Sequence, residues 1–476
     1  MKKRLLSISL LTIFLIVGFN FLNKSFASQH IFVNVYEDYL SLSEKTNIDI
    51  LFYGSSHAYT AFNPLIIDDK CKTVSYNIGS ASLNISLAEL VLNETLKHSN
   101  PKLVILEIFE GSTEEVTSKK NKGFQLRALD IIPNYSFDKL LAVKNIYTKD
   151  EYLGVLFPLI RNHDKWGDST FIGKSKRQAL NKNTLFFHSG YRGHFKKLEI
   201  SDRKLFEDSK KADEPQKKNE DYINSDTKKA IKKFVKTAKS NGIDVLIVTS
   251  PDLNSIGKDK IFFQELNELC ASLNTPYINL NDYFEKIGLT LDDFMDLEHL
   301  NIYGGYKTSQ FLADYLNSNY HFIDRSNEPL YKENSNVFNL SEDLFIKAEE
   351  SFSTHLDKKL IEGMLIQNLK IERNNRDYTI SLNFENDKGL KENFKKYNIS
   401  FKIYPFDEKN LSEQSIKKGE NFDKIDIKLA QQNSQVKLYL NSKIKQIKQV
   451  EFFIYNSEKY KGVVGQKIIM DDINLQ

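Results

Sequence analysis

Cysteine is nearly absent from this sequence: Cys71 and Cys270 are the only two in 476 residues, and no CxxC spacing occurs. Neither a thiolate zinc site nor a disulfide framework is therefore encoded, and a single Cys71–Cys270 bridge is the most that could form. The chain also lacks an excess of either charge. Its 66 Lys and Arg nearly cancel 63 Asp and Glu, leaving +3. The lysines are scattered rather than gathered into a stripe, so the electrostatic footprint of a nucleic-acid binder is missing. No motif asks for a metal or a cofactor. What is present is ordinary for a folded protein, with 41% hydrophobic and 27% charged residues. The length exceeds one core, and a prior of about 150 residues per domain gives two or three units.

Lys2, Lys3 and Arg4 precede an uncharged stretch from Leu5 to Leu22. Basic residues there hold the N-terminus in the cytoplasm and place everything after the stretch outside. Two readings stand open for segment 1–28. An uncleaved single-pass membrane anchor is favoured, because the run is longer than an ordinary signal h-region of about 7–15 residues and just long enough to span. Cleavage after Ser25-Phe26-Ala27 would instead release a secreted body.

From about residue 48 the pattern predicts parallel-sheet units: strands Ile48–Tyr53, Thr73–Asn77 and Leu103–Ile108, with a helix over Leu83–His98. A second set follows: a lysine-rich helix from Ser225, a central strand Ile243–Thr249, a helix Phe262–Leu273, a short strand Tyr277–Leu280 and a helix from about Tyr303 to Leu316. The α/β domain spans 29–325 and carries an insertion at about 112–222. Two stretches of that insertion combine aromatic, cationic and histidine groups: Phe157 to Trp166, with Arg161 and His163, and His188 to His194, with Arg192. They read either as a packed lid with polar tips or as an acceptor groove, since an aromatic face suits a sugar ring and Arg suits a carboxylate or phosphate. From 335 to 476 short period-two strands, among them Tyr378–Phe384, Ile399–Tyr404 and Val450–Tyr455, predict an all-β sandwich. Its role is read as spacer or packing, with sugar binding as the alternative.

The chemistry concentrates at Gly54-Ser55-Ser56-His57, where the first strand ends and the chain must turn. Open α/β sheets place their sites there. A serine needs a base to become nucleophilic, and Asp296-Leu297-Glu298-His299 supplies a histidine with a carboxylate three residues before it. Together the two stretches resemble the SGNH hydrolase superfamily, whose GDS-like and DxxH blocks fall on Gly54-Ser55-Ser56 and on Asp296 with His299. The resemblance implies a flavodoxin-like three-layer α/β fold. It also implies Ser56 as nucleophile, His299 as base, Asp296 as its orienting carboxylate, and an oxyanion hole made by the N–H groups of Ser56 and Gly79. The family's third block has no counterpart. After Leu103–Leu106 the chain reads Glu107-Ile108-Phe109-Glu110-Gly111, and Glu107 cannot donate a hydrogen bond while ionised. Asn77 and Asn84 stand as candidate donors. His57 is read as a substrate-side or capping group rather than the base, because neighbours one apart on a turn do not face each other.

Ser-Ser in place of Asp-Ser, with His299-Leu300-Asn301 ahead of Gly304-Gly305, is similar to the bacterial cell-envelope branch: alginate O-acetylation proteins and the D-alanyl-transfer proteins of teichoic acid synthesis. That likeness implies an exported O-acyltransferase or esterase acting on an envelope polysaccharide, beside a multi-spanning membrane O-acyltransferase that delivers the acyl group. A non-catalytic glycan-binding or scaffold protein with a degenerate site is the alternative.

Overall fold

The computed structural model describes residues 2–26, 31–113, 119–133, 136–167, 185–199, 202–203, 205–206, 222–256, 260–345, 350–374, 377–385, 389–432, 434–442, 444, 446–456, 463–473 and 475. Most of the stretch Arg203 to Asp221 and the candidate cleavage site after Ala27 lie outside them.

The chain opens with helices α1 (Lys2–Ser25) and α2 (Ile31–Ser43). It continues through strand β1 (Ile50–Tyr53), helices α3 (Ser56–Ala61) and α4 (Pro64–Cys71), strand β2 (Ser75–Asn77), helix α5 (Ile85–Thr95) and strand β3 (Leu103–Glu107). The insertion holds α6 (Lys119–Asp130), α7 (Phe137–Ile146), α8 (Tyr152–Leu156), α9 (Pro158–Arg161) and the hairpin β4–β5 (Leu185–His188, Tyr191–His194). The α/β body is completed by α10 (Ser225–Ser240), β6 (Asp244–Thr249), α11 (Ile261–Ser272), β7 (Tyr277–Asn279) and α12 (Ile302–Asn319).

Five of these strands form one parallel sheet in the order β2-β1-β3-β6-β7. Their runs are apolar on both sides because both faces are covered. Successive side chains alternate between faces: Leu51, Tyr53, Val104, Leu106, Val245 and Ile247 join the core under α5 and α10. Ile50, Phe52, Leu103, Ile105, Leu246 and Val248 join the core under α3, α4 and α12. The chain leaves β1 toward β2 on one side and returns to β3 on the other, so the carboxyl end of β1 is the topological switch point where such sheets bind ligands.

Helix α13 (Pro329–Phe345) leads to eight strands: β8 (Glu350–Ile361), β9 (Met364–Asn374), β10 (Asp377–Phe384), β11 (Tyr397–Pro405), β12 (Asp423–Lys428), β13 (Gln435–Asn441), β14 (Ile447–Asn456) and β15 (Val463–Ile473). They form two four-stranded antiparallel sheets, β13-β10-β9-β8 and β12-β11-β14-β15, that share one core.

The stretch Leu5 to Leu22 falls within α1, whose first side chains lie outside the described residues. Among the described residues no helix is long and apolar enough to cross a membrane, so the expected membrane helix finds no support in the structure. The end of α1 docks on the insertion. Asn23 Oδ1 accepts from Leu159 N at 3.1 Å, Phe26 O accepts from Asn162 Nδ2 at 2.7 Å, and the Phe19 and Phe157 rings meet edge-on at 5.3 Å.

Candidate active site

The turn after β1 is built for close quarters. Gly54 has φ +144°, and a Cβ there would stand 2.7 Å from the Glu107 Cβ; only glycine accommodates both conditions. Ser55 then caps α3, its Oγ accepting from His57 N at 3.2 Å. Beneath the turn, Glu107 Oε2 accepts from Ser55 N at 3.2 Å and from Ser55 Oγ at 3.0 Å. Ser55 is thus structural, and Ser56, the first residue of α3, presents its hydroxyl to the other half of the site.

That half is one short loop. Met295 N donates to His299 O at 3.0 Å and Phe294 bridges Leu300, closing the loop on itself. Asn301 caps α12, its Oδ1 accepting from Tyr303 N at 3.0 Å and Gly304 N at 3.2 Å, while its Nδ2 donates to Asp292 O at 2.7 Å. Gly305 lets α12 approach: a Cβ there would meet Thr60 O at 2.6 Å.

The two halves meet in a continuous relay. His299 Nε2 lies 2.8 Å from Ser56 Oγ, and His299 Nδ1 lies 2.9 Å from Asp296 Oδ1. Asp296 Oδ1 also accepts from the backbone N–H groups of Glu298 at 2.9 Å and His299 at 2.8 Å. Burial pushes the Asp296 carboxyl up, but the bonds from the imidazole and the two backbone groups outweigh it and hold the pKa below its ordinary value. Asp296 therefore stays ionised and fixes the imidazole with Nδ1 protonated, which leaves Nε2 free to take the Ser56 proton.

His57 is buried and stacks on Phe109 at 3.9 Å, with its ring centroid 4.8 Å from that of His299. Burial, then the neighbouring His299, drives its pKa well below the ordinary value, so it stays neutral. Neither of its ring nitrogens has a hydrogen-bond partner among the described residues, so it packs beside His299 without joining the relay. His57, Glu298 and His299 also place one potential ligand atom each within 4.8 Å of one another, the spacing of a metal cluster. Both His299 nitrogens are already engaged by Ser56 and Asp296.

Three expectations change. The Gly79 N–H donates to Asn77 Oδ1 at 2.9 Å, so the group assigned to the oxyanion hole is already occupied. Asn77 cannot serve as donor either, because its amide donates to Ala58 O at 2.9 Å and Phe62 O at 3.0 Å. Asn84 caps α5 through its Oδ1. The acceptor-groove reading of Arg161, His163 and Trp166 is corrected as well. Arg161 Nη2 pairs with Asp130 at 2.8 Å, His163 Nδ1 lies 3.1 Å from Ile160 O, and Trp166 Nε1 donates to Leu159 O at 2.9 Å. All three brace the turn on which α1 docks, and none lines the cavity beside the relay.

Arg192 differs. It is 4% exposed, stacks over the Tyr59 ring at 4.0 Å, and leaves Nε and Nη2 without a partner among the described residues. Tyr59 belongs to α3, one turn after Ser56. Burial pushes the guanidinium pKa down from its ordinary value, but not far enough to neutralise an arginine.

The cavity itself measures about 640 Å³ and includes His57, Phe109, Asn84, Gln125, Asn254 and Glu298 in its lining. Of the polar residues on the far wall, which come from four separate segments, sequence reasoning singled out Asn84 and missed Gln125 and Asn254; adjacency in the chain offers no signal for them. Glu107 was visible only as an obstacle. It is fully buried, and burial raises its pKa to about 7 against the bonds from Ser55.

No family model matches this sequence, and no curated protein matches it either. A solved structure of BT4096, a gut microbial diltiazem-metabolizing enzyme, is similar over 76% of this chain and 58% of its own, at 10% identity and a TM-score of 0.23. The chain thus spans less than two thirds of that protein, and so loose a superposition leaves the site to be read from its own geometry.

Proposed function

We propose that this chain is an exported, serine-dependent O-acyltransferase or esterase of the SGNH type that acts on a cell-envelope polysaccharide. The observation that carries the reading is the hydrogen-bonded relay Ser56–His299–Asp296 at the switch point of the sheet. As Ser56 Oγ attacks an acyl carbonyl, His299 Nε2 takes its proton; collapse of the tetrahedral adduct expels the donor's alkoxide, which leaves with that proton, and an acyl-serine remains. An acceptor hydroxyl or water then repeats the steps in reverse, giving the acyl group to sugar or solvent. The backbone N–H of Ser56, the first residue of α3, is the proposed donor to the developing oxyanion.

The cavity supports a glycan, because its Asn and Gln side chains both donate and accept, as hydroxyl-rich rings require. Arg192 is buried against Tyr59 outside that lining, so it is not counted among the groups that meet the glycan. The basic N-terminus supports a body held outside the cytoplasmic membrane by α1, where no acetyl-coenzyme A is at hand. A multi-spanning membrane O-acyltransferase is the proposed donor partner.

The test is intact mass of the purified full chain after exposure to p-nitrophenyl acetate. One acetyl group on the wild type and none on Ser56→Ala supports the reading; no adduct on either leaves a degenerate glycan-binding protein. Deleting the protein then separates directions: ester-linked acyl groups on envelope glycans fall for a transferase and rise for an esterase.

A further inference from the structure

Apart from Leu205, the exposed large apolar side chains among the described residues of the insertion all fall between Phe137 and Trp166, and they are treated as one row. In α7, Lys139, Val143 and Ile146 turn inward, whereas Phe137, Leu140 and Leu141 form the opposite face and stand 76%, 43% and 45% exposed. A surface helix of a water-facing domain carries polar groups there. The row continues through Leu153 of α8, Ile160 of α9 and Trp166 just beyond, at 58%, 37% and 55%. Helix α7 touches α8, α8 touches α9, and α9 carries the root of α1. Elsewhere in the described α/β body only Leu205 and Ile323 among large apolar residues are as exposed.

Helix α1 says what covers this row. Leu10, Leu11, Ile13, Phe14, Leu15, Ile16 and Val17 are all more than half exposed and, being nearly consecutive, point to every side of the helix. A protein partner covers one face; a helix apolar all round calls for an apolar medium. Around the row Asp138, Asp150 and Asp164 balance Lys144, Lys149 and Lys165, so the attraction is apolar rather than electrostatic.

We infer that α1 and this row form one continuous lipid-facing surface: α1 enters the acyl region, and the α7–α9 foot with Trp166 rests in the headgroup–acyl boundary, as amphipathic interfacial helices do. The inference rests on the export reading above and adds a second membrane contact, made by the catalytic body itself. It gives Trp166 the role of an interfacial anchor.

Trp166 is the chain's single tryptophan, so the full-length protein carries its own reporter. In phospholipid vesicles without other proteins, its emission should shift to the blue. Lipids brominated near the headgroup should quench it at least twofold, more than lipids brominated near the chain terminus, and high salt should not reverse this. Moving the reporter with the double variant Trp166→Phe/Phe137→Trp should preserve the quenching. A chain that floats with the vesicles while Trp166 stays unquenched refutes the foot and leaves the anchor standing. A chain that does not float refutes the anchor together with the foot. Quenching that appears only when a membrane-protein partner is added assigns the row to that partner and overturns the lipid contact.

Discussion

Replacing Glu107 with Gln should make the protein gain stability relative to the wild type as pH rises from about 4.5 to about 7, the difference levelling off above that. Glu107 is 1% exposed, and Oε1 has no hydrogen-bond partner among the described residues. Burial raises its pKa from 4.5 to about 7. The sign follows from linkage: the folded state holds this proton more tightly than the unfolded chain, so its stabilising effect is complete below about 4.5 and lost as pH rises through about 7. The interval is about 2.5 pH units, and at ~1.4 kcal/mol per unit the loss is about 3 kcal/mol. Gln keeps an oxygen for Ser55 N–H and Oγ–H and has no proton to lose. Urea unfolding of wild type and Glu107→Gln, followed through the α/β transition between pH 5 and pH 8, should show curves that nearly coincide at pH 5 and separate by pH 8. A difference that stays constant across the range would refute the buried, proton-holding carboxyl.

Ser56→Ala should abolish acylation, whereas Ser55→Ala should keep the nucleophile and cost about 1 kcal/mol as a lost helix cap; rates and melting of the two variants decide between the serines, and the reverse ranking would move the nucleophile to Ser55. Arg161→Ala removes the partly buried ion pair with Asp130 and should lower stability, by about 1–3 kcal/mol in urea titration, without raising KM for a glycan ester, because Arg161 braces α9. Gly305→Ala sets a methyl group against Thr60 O and should cost about 2 kcal/mol in denaturant titration; Tyr191→Phe should not rescue it, since the backbone oxygen remains. Arg192→Met should change kcat/KM for acidic and neutral glycan esters alike, because Arg192 packs on Tyr59 outside the cavity lining; a larger loss for the acidic ester would put the guanidinium on substrate.

Much of the α/β body was legible because buried parallel strands announce themselves. Ile48–Tyr53, Leu103–Ile108 and Ile243–Thr249 differ from β1, β3 and β6 only at their ends. The pair Asp296 and His299 was legible because it is local. What failed depends on contacts that sequence spacing does not encode. Gly79 matches a motif position, yet Asn77, two residues away, takes its N–H. Arg161, His163 and Trp166 have the side chains of a sugar site, but the turn they share faces α1, and only the packing of α8 and α9 decides that. Strands β8 and β9 escaped notice because the period-two rhythm slips where their pairing shifts: the register changes between His355 and Lys358 in β8, and the buried Ile366 and Leu369 of β9 lie three apart.

In the proposed relay the base His299 and its carboxylate Asp296 come as one prefabricated loop, but the proposed nucleophile Ser56 lies 243 residues earlier in the chain. Contacts of such separation form late, after the loop between them has closed. Reactivity at Ser56 therefore cannot precede the docking of α12 against α3, and a chain still emerging, or stalled with its second half unfolded, carries only an inert hydroxyl. For this protein a serine-directed probe is also a clock that starts when the α/β body is finished.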